Sequence, residues 1–214
     1  MRLAPQLRCG LLLLMALSGV PALASIVTIT VRTASGTAAE DALIVFDPRD
    51  ALPPSGRASV AIDQVNKRFV PHVTILRTGT AVTFPNSDKI RHQVYSFSPA
   101  KSFDLKLYAG SPKEEVVFDK PGLVVLGCNI HDSMVGFVAV VDSPYFGKVP
   151  ASGEVAVDLP PGRYAFRIWH PKLAAPLAAK EITVGAAPQA MSLVVDIDAA
   201  RESVAPWPDA PASH

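Results

Sequence analysis

Cysteine is scarce in this chain of 214 residues, which contains only two, Cys9 and Cys128. Two thiols exclude a disulfide-rich scaffold, a zinc site built only from cysteine and an all-cysteine iron–sulfur cluster. An excess of charge is also lacking, because the formal net charge of +1 gives no general attraction to nucleic acid. By contrast, the 20 prolines disfavour an all-α fold, because proline inside a helix is costly.

The first 24 residues have the three parts of a secretory signal peptide. Arg2 and Arg8 give a positive start, and residues 11–17 form the short apolar run LLLLMAL. Residues 22–24 read Ala-Leu-Ala, an A-x-A cleavage site. The apolar run is too short to span a bilayer. We therefore expect cleavage after Ala24, export to an oxidising compartment, and a mature chain without a transmembrane segment. An uncleaved anchor is the alternative.

Cleavage would leave Cys128 as the only thiol, so it could form no internal disulfide. A lone exported thiol is a buried inert residue, an intermolecular bridge or a metal ligand. The sequence around it, GCNIHDSM, places His131 and Met134 at three-residue intervals after Cys128. A thiolate, an imidazole and a thioether form a soft donor set that suits copper, whereas zinc rarely recruits a thioether.

Short apolar segments separated by clusters of Gly, Pro, Asn and Asp predict an all-β fold. Their spacing of roughly ten residues is typical of an antiparallel sandwich. We predict strands at residues 26–32, 42–46, 72–77, 80–84, 92–97, 103–107, 115–118, 123–126, 135–141, 153–159, 163–169, 182–184 and 192–197.

The predicted strands place Cys128, His131 and Met134 on one tight loop, which can direct three donors at one centre. A second imidazole has to come from elsewhere, and His92 begins a strand whose end can lie beside this loop. Two histidines, one cysteine and a weak axial methionine make the blue-copper arrangement. The alternatives are that Met134 only fills the core and that His92, whose position rests on an inferred strand pairing, is not a ligand.

Residues 60–142 resemble a cupredoxin, a type 1 copper domain with a Greek-key sandwich. The resemblance rests on TGTAVTFPNSDKIRH, residues 78–92, and on CNIHDSM, residues 128–134. The Cys-x-x-His-x-x-Met spacing is similar to the short loop of amicyanins. The resemblance implies one type 1 copper ion per chain. It assigns His92, Cys128 and His131 as the strong ligands and Met134 as the axial ligand.

Three further residues are candidates for contacts around such an ion. Many cupredoxins have Asn after the first ligand histidine, where it ties the two ligand loops together; this chain has Gln93. Asn86 and Asn129 are candidates for hydrogen bonds near the thiolate, and each is also a good turn former. The resemblance further implies that electrons pass through His131, with Ile130 and Met134 in an apolar patch around it.

A second resemblance concerns residues 153–171, which look like the end of a carboxypeptidase-regulatory-like or Cna-B-type sandwich, while residues 26–46 fit its opening. The cupredoxin domain is then either inserted into this accessory β module or followed by it. The expected organisation is a signal peptide at 1–24, N-terminal strands at 25–59, the cupredoxin domain at 60–142, the accessory module at 143–198 and a disordered tail at 199–214.

A type 1 centre has no open position for a substrate, so the expected function is periplasmic transfer of single electrons rather than catalysis. Similar exported chains carry the label "methylamine utilisation protein", which supports that role. The expected partners are a c-type cytochrome or a periplasmic dehydrogenase, and not nucleic acid. Two alternatives remain: a copper-delivery protein that shuttles no electrons, and a structural β protein whose ligand pattern is coincidental.

Overall fold

A computed structural model describes residues 24–54, 56, 58–200, 204–205 and 207–208. Within these residues the chain forms 17 strands and no helix, which confirms the predicted all-β class. None of the described segments forms a helix with the length and apolarity needed to cross a membrane. The expected signal peptide, apart from Ala24, lies outside the described residues.

The strands include every segment predicted from the sequence, with ends shifted by a few residues. The additional ones, β3, β4, β5 and β13 below, are only three or four residues long, too short for a clear alternating pattern. In chain order the strands are β1 (Ser25–Thr33), β2 (Leu43–Pro48), β3 (Ser59–Ala61), β4 (Asp63–Val65), β5 (Arg68–Val70), β6 (Val73–Arg77), β7 (Thr80–Thr83), β8 (His92–Ser98), β9 (Lys101–Tyr108), β10 (Val116–Phe118), β11 (Gly122–Gly127), β12 (Val135–Val141), β13 (Tyr145–Lys148), β14 (Glu154–Leu159), β15 (Gly162–Trp169), β16 (Lys180–Val184) and β17 (Gln189–Val195).

One hydrophobic core lies between a five-stranded sheet of order β6-β12-β11-β8-β9 and a three-stranded sheet of order β10-β7-β3. Alternate residues of a strand face the same side of its sheet, and Val124 and Leu126 of β11 therefore both point into this core. They share it with Phe118 of the opposite sheet. Cys128 and Met134 belong to the same core, so the loop that carries them is anchored in the sandwich.

A second hydrophobic core lies between the sheet β14-β1-β17 and the sheet β13-β2-β15-β16. Its central strand β1 pairs antiparallel with β14 and parallel with β17. Ile29 and Val31 of β1 pack in this core with Phe46 of β2 and Phe166 of β15. Val195 of β17 belongs to it as well, so the first and last strands of the described residues contribute to the same core.

The two cores are joined by a third apolar cluster, the seam, in which Leu43 and Trp169 meet Val73, Phe137 and Ala139. The rings of Phe137 and Trp169 lie 6.0 Å apart in an edge-on arrangement. In this way the outer face of β6 and β12 is covered by β2 and β15. Strand β12, which follows the loop with Cys128 and His131, is consequently packed on both faces.

Four residues of the tail, 204, 205, 207 and 208, lie against the seam and strand β15, although the sequence of the tail predicts disorder. The buried indole N–H of Trp169 donates to the carbonyl of Ala205 at 3.0 Å, and the ring of Trp207 lies 5.6 Å from that of Trp169. Buried Arg167 donates to the carbonyl of Pro208 at 2.9 Å. These contacts need no secondary structure, so the absence of periodicity in the tail could not reveal them.

We predict that Trp207→Ala lowers the free energy of unfolding by about 1–2 kcal/mol, since it removes a ring pair with Trp169 and a guanidinium–ring contact with Arg167 at 5.5 Å. Urea unfolding measures the loss. Val194 of β17 is 73% exposed and serves as the control, because Val194→Ala changes stability by only about 0.5 kcal/mol or less. Equal stability of the two variants would contradict the tail contact.

Candidate metal centre

The loop between β11 and β12 folds as two successive turns that begin at Cys128. The N–H of His131 donates to the carbonyl of Cys128 at 3.4 Å, and the N–H of Met134 donates to the carbonyl of His131 at 2.9 Å. Each three-residue interval, from Cys128 to His131 and from His131 to Met134, thus forms one hydrogen-bonded turn. Because both flanking strands belong to the same sheet and pair with each other, the ends of the loop are fixed.

A tyrosine ring fixes the residue before the cysteine. Gly127 ends β11 and pairs with Tyr95 of β8, the only paired position of these two strands among the described residues. A Cβ atom on residue 127 would lie 2.7 Å from Cζ of Tyr95, closer than such atoms approach each other. The ring of Tyr95 therefore rests on the glycine and holds the backbone that leads into Cys128.

Three donor side chains from two parts of the chain meet beside this loop. His92, the first residue of β8, is 0% exposed, and its Nδ1 lies 3.8 Å from Sγ of the buried Cys128. One ligand atom each from His92, Cys128 and His131 lie within 4.8 Å of one another. The structure thus brings His92 to the loop, as the sequence predicts. That these three residues bind a metal stays a prediction.

The cluster fits a metal ion on two counts. Nδ1 of His131 is buried and has no hydrogen-bond partner among the described residues. An unsatisfied buried polar atom costs about 1–3 kcal/mol, which coordination of a metal ion would offset. The donor set of one thiol and two imidazoles is soft, which suits copper and zinc better than magnesium or calcium.

A carboxylate that sequence reasoning missed holds the other nitrogen of His92. Nε2 of His92 lies 2.8 Å from Oδ2 of Asp88. The backbone N–H of Lys67 holds the pKa of Asp88 below its usual range, and hydrogen bonds from His92 and Asn66 act in the same direction. Histidines that bind metals usually donate their second N–H to a carboxylate or carbonyl group. An acid four residues before the candidate ligand was the signal available in the sequence.

The side chain of Asn86 fits the turn-former role that the sequence offers beside a contact with the thiolate. Its amide nitrogen donates to the carbonyls of Ile90 and Tyr108 at 2.9 and 3.0 Å, which uses both N–H bonds. Its amide oxygen accepts from the N–H of Asp88 at 3.0 Å. Asn86 therefore acts as a turn former, and it shapes the turn that carries Asp88.

The roles of the other two candidates, Gln93 in linking the ligand loops and Asn129 in a hydrogen bond near the thiolate, stay predictions. Gln93 donates to Asp104 of the neighbouring strand β9 at 2.5 Å, on the outer face of the sheet. Asn129 is exposed on the loop. Asp88, which precedes His92 by four residues, connects His92 to residues 66 and 67 instead.

Met134 and Ile130 have opposite environments. Met134 is 1% exposed and packs in the core, so it adds little exposed surface to an apolar patch around His131. Ile130 is 47% exposed beside His131, as expected for a residue of such a patch. A buried position three residues after His131 is compatible with an axial ligand. That role of Met134 stays a prediction.

Comparison with known proteins gives similarities to solved structures only, since no family model and no curated protein matches the chain. A copper-containing nitrite reductase from Thermus scotoductus is 27% identical with a TM-score of 0.37, covering 42% of this chain and 23% of its own. A purple cupredoxin from Nitrosopumilus maritimus is 26% identical with a TM-score of 0.34, covering 39% and 99%. A pseudoazurin from Methylobacterium extorquens is 25% identical with a TM-score of 0.33, covering 40% and 76%. All three scores are below 0.5, so the metal assignment rests on the donor geometry of this chain.

We predict that Gly127→Ala destabilises the protein by about 1–3 kcal/mol, because the new methyl group overlaps the ring of Tyr95. Gly185→Ala is the control, since a Cβ there meets only an ordinary contact at 3.5 Å. In a Tyr95→Ser background the cost of Gly127→Ala should fall. Thermal unfolding of the four variants tests this, and an unchanged cost in the Tyr95→Ser background would contradict the contact.

Proposed function

We propose that the chain is exported to the periplasm and carries single electrons through one type 1 copper ion. His92, Cys128 and His131 are the strong ligands in this proposal, and Met134 is the axial ligand. The observation that carries it is the convergence of two imidazoles and one thiol within 4.8 Å. The buried Nδ1 of His131 also has no hydrogen-bond partner in the part of the chain that the structure describes. The cupredoxin-like motifs at residues 78–92 and 128–134 point to the same ion.

Copper would supply the one-electron redox step, because a set of thiolate, imidazole and thioether donors suits both of its oxidation states. The protein supplies a fixed and dry environment. His92 and Cys128 are buried, and the loop between β11 and β12 is held by strand pairing at both ends. Donors that cannot move far keep the reorganisation small when an electron arrives or leaves.

The same arrangement disfavours catalysis at this centre. Four ligands from the chain leave no position for a substrate, and His92 and Cys128 lie below the surface. His131 is partly exposed next to exposed Ile130, which makes it the natural exit for electrons. A c-type cytochrome or a periplasmic dehydrogenase would dock there, with an apolar contact around Ile130.

We also propose that the copper-binding sandwich is inserted into the accessory sandwich rather than placed before it. Two observations support this division. The core that contains Cys128 draws its buried residues from positions 62–140 only. The other core draws its residues from positions 27–46 and 149–205, on both sides of that range.

We predict an intense thiolate-to-copper absorption band, blue or green, when the purified mature protein is loaded with one equivalent of Cu(II). Cys128→Ser should abolish the band, because the charge transfer needs the sulfur ligand. His72→Gln should keep it, since His72 is exposed and lies outside the donor cluster. A colourless protein at full Cu(II) loading would contradict the electron-carrier proposal. Rapid loss of the ion to a chelator would favour a delivery role.

For Met134→Leu we expect the colour to remain and the reduction potential to rise. The substitution removes a weak donor that stabilises oxidised copper more than reduced copper, while it keeps the apolar volume in the core. Cyclic voltammetry of the two loaded proteins measures the difference. An unchanged potential would show that Met134 is a packing residue and not the axial ligand.

A further inference from the structure

Asp88 contacts two separate parts of the chain through its carboxylate. One is the imidazole of His92, whose Nε2 lies 2.8 Å from Oδ2 of Asp88. The other is the turn between β4 and β5, where the N–H of Asn66 donates to Oδ1 at 2.7 Å and the N–H of Lys67 donates to Oδ2 at 2.9 Å. One carboxylate thus joins the candidate ligand to the tip of a hairpin.

The hairpin is well suited to present these two donors. Asn66 and Lys67 are the two residues between β4 and β5, and both have positive φ angles, 53° and 58°. Such angles are typical of a type I′ turn, which is rigid and joins two antiparallel strands tightly. Its two successive N–H groups both point at the carboxylate of Asp88.

A second carboxylate, this time on the hairpin, binds the segment that carries Asp88. Asp63 of β4 accepts from the hydroxyl of Ser87 at 2.7 Å and from the N–H of Ser87 at 3.2 Å. Residues 87 and 88 are thereby held against the hairpin by hydrogen bonds from both sides. The position of Asp88 is set by hydrogen bonds within the protein.

A buried imidazole has few ways to satisfy its second nitrogen. His92 is fully buried, so water cannot replace a lost partner of Nε2. An ionised carboxylate only accepts hydrogen bonds, which requires Nε2 to carry the proton. In the neutral ring Nδ1 then has a free lone pair, and Nδ1 is the nitrogen that lies 3.8 Å from Sγ of Cys128.

We propose that Asp88 is a positioning residue that fixes His92 as the Nε2–H tautomer, with Nδ1 free for the metal, and fastens this ligand to the hairpin of β4 and β5. The inference rests on the proposed function for the identity of the metal, but the tautomer is a property of the metal-free protein. Histidines that bind metals are commonly held by a carboxylate in this way.

The first test is ¹⁵N NMR of the imidazole nitrogens in the metal-free protein near neutral pH. We expect His92 of the wild type to be the Nε2–H tautomer and to remain so in Asp104→Asn. Asp104 is a matched control because it binds Gln93 and Lys106 on the outer face of the sheet and does not touch His92. An Nδ1–H tautomer in the wild type would overturn the proposal without any variant.

The second test replaces the carboxylate. Asp88→Asn keeps the shape but has one acceptor oxygen and one NH2 group. In one orientation the NH2 group faces the N–H of Asn66, and in the other it faces His92 and the N–H of Lys67, so neither orientation satisfies all three donors. We expect mixed tautomers of His92, copper affinity lowered by about 10–100-fold in chelator competition, and a higher reduction potential. Asp88→Glu keeps the charge and should restore part of the affinity. Wild-type tautomer and affinity in a folded Asp88→Asn protein would refute a positioning role.

The two tests also separate this inference from the proposed function. If His92 is held as the Nε2–H tautomer by Asp88 but Cu(II) gives no colour, the electron-carrier proposal fails and the positioning role stands. If the coloured site forms with the same potential in the wild type and Asp88→Asn, the electron-carrier proposal stands and the positioning role fails.

Discussion

The buried imidazole of His92 is the group on which the candidate metal centre depends. One of its nitrogens faces Sγ of Cys128 at 3.8 Å and the other meets the carboxylate of Asp88 at 2.8 Å. No solvent reaches the ring, so each nitrogen needs a partner from the chain or a bound ion. Its orientation is therefore decided by the fold, which in turn decides where a metal ion can sit.

The rest of the architecture keeps the opposite side of the centre equally fixed. The loop with Cys128 and His131 runs between two paired strands, and Tyr95 rests on the glycine before the cysteine. Strand β12 packs on one face in the core that contains Cys128 and on the other face in the seam with Trp169. A centre held in this way suits electron transfer, in which small reorganisation matters more than access to the ion.

The sequence predicted the all-β class and the residues that meet at the centre, because both leave local signals. Alternating apolar residues mark the strands, and Cys128, His131 and Met134 stand at regular intervals on one loop. Asp88 was missed although it stands four residues before His92, because one acid at that spacing is not a specific signal. The hairpin of β4 and β5 was missed because the hydrogen bonds of a carboxylate to a distant turn have no local pattern. Trp207 was missed for the same reason, since its contact with Trp169 depends on tertiary packing alone.

The central claim is that one sulfur and two imidazole nitrogens of this chain bind the same copper ion. X-ray absorption at the copper edge of the protein loaded with one equivalent of copper tests it most directly. The account predicts one short copper–sulfur contact and a shell of two imidazole nitrogens. The sulfur contribution should be absent in Cys128→Ser. A first shell of nitrogen and oxygen atoms only, unchanged by Cys128→Ser, would contradict it.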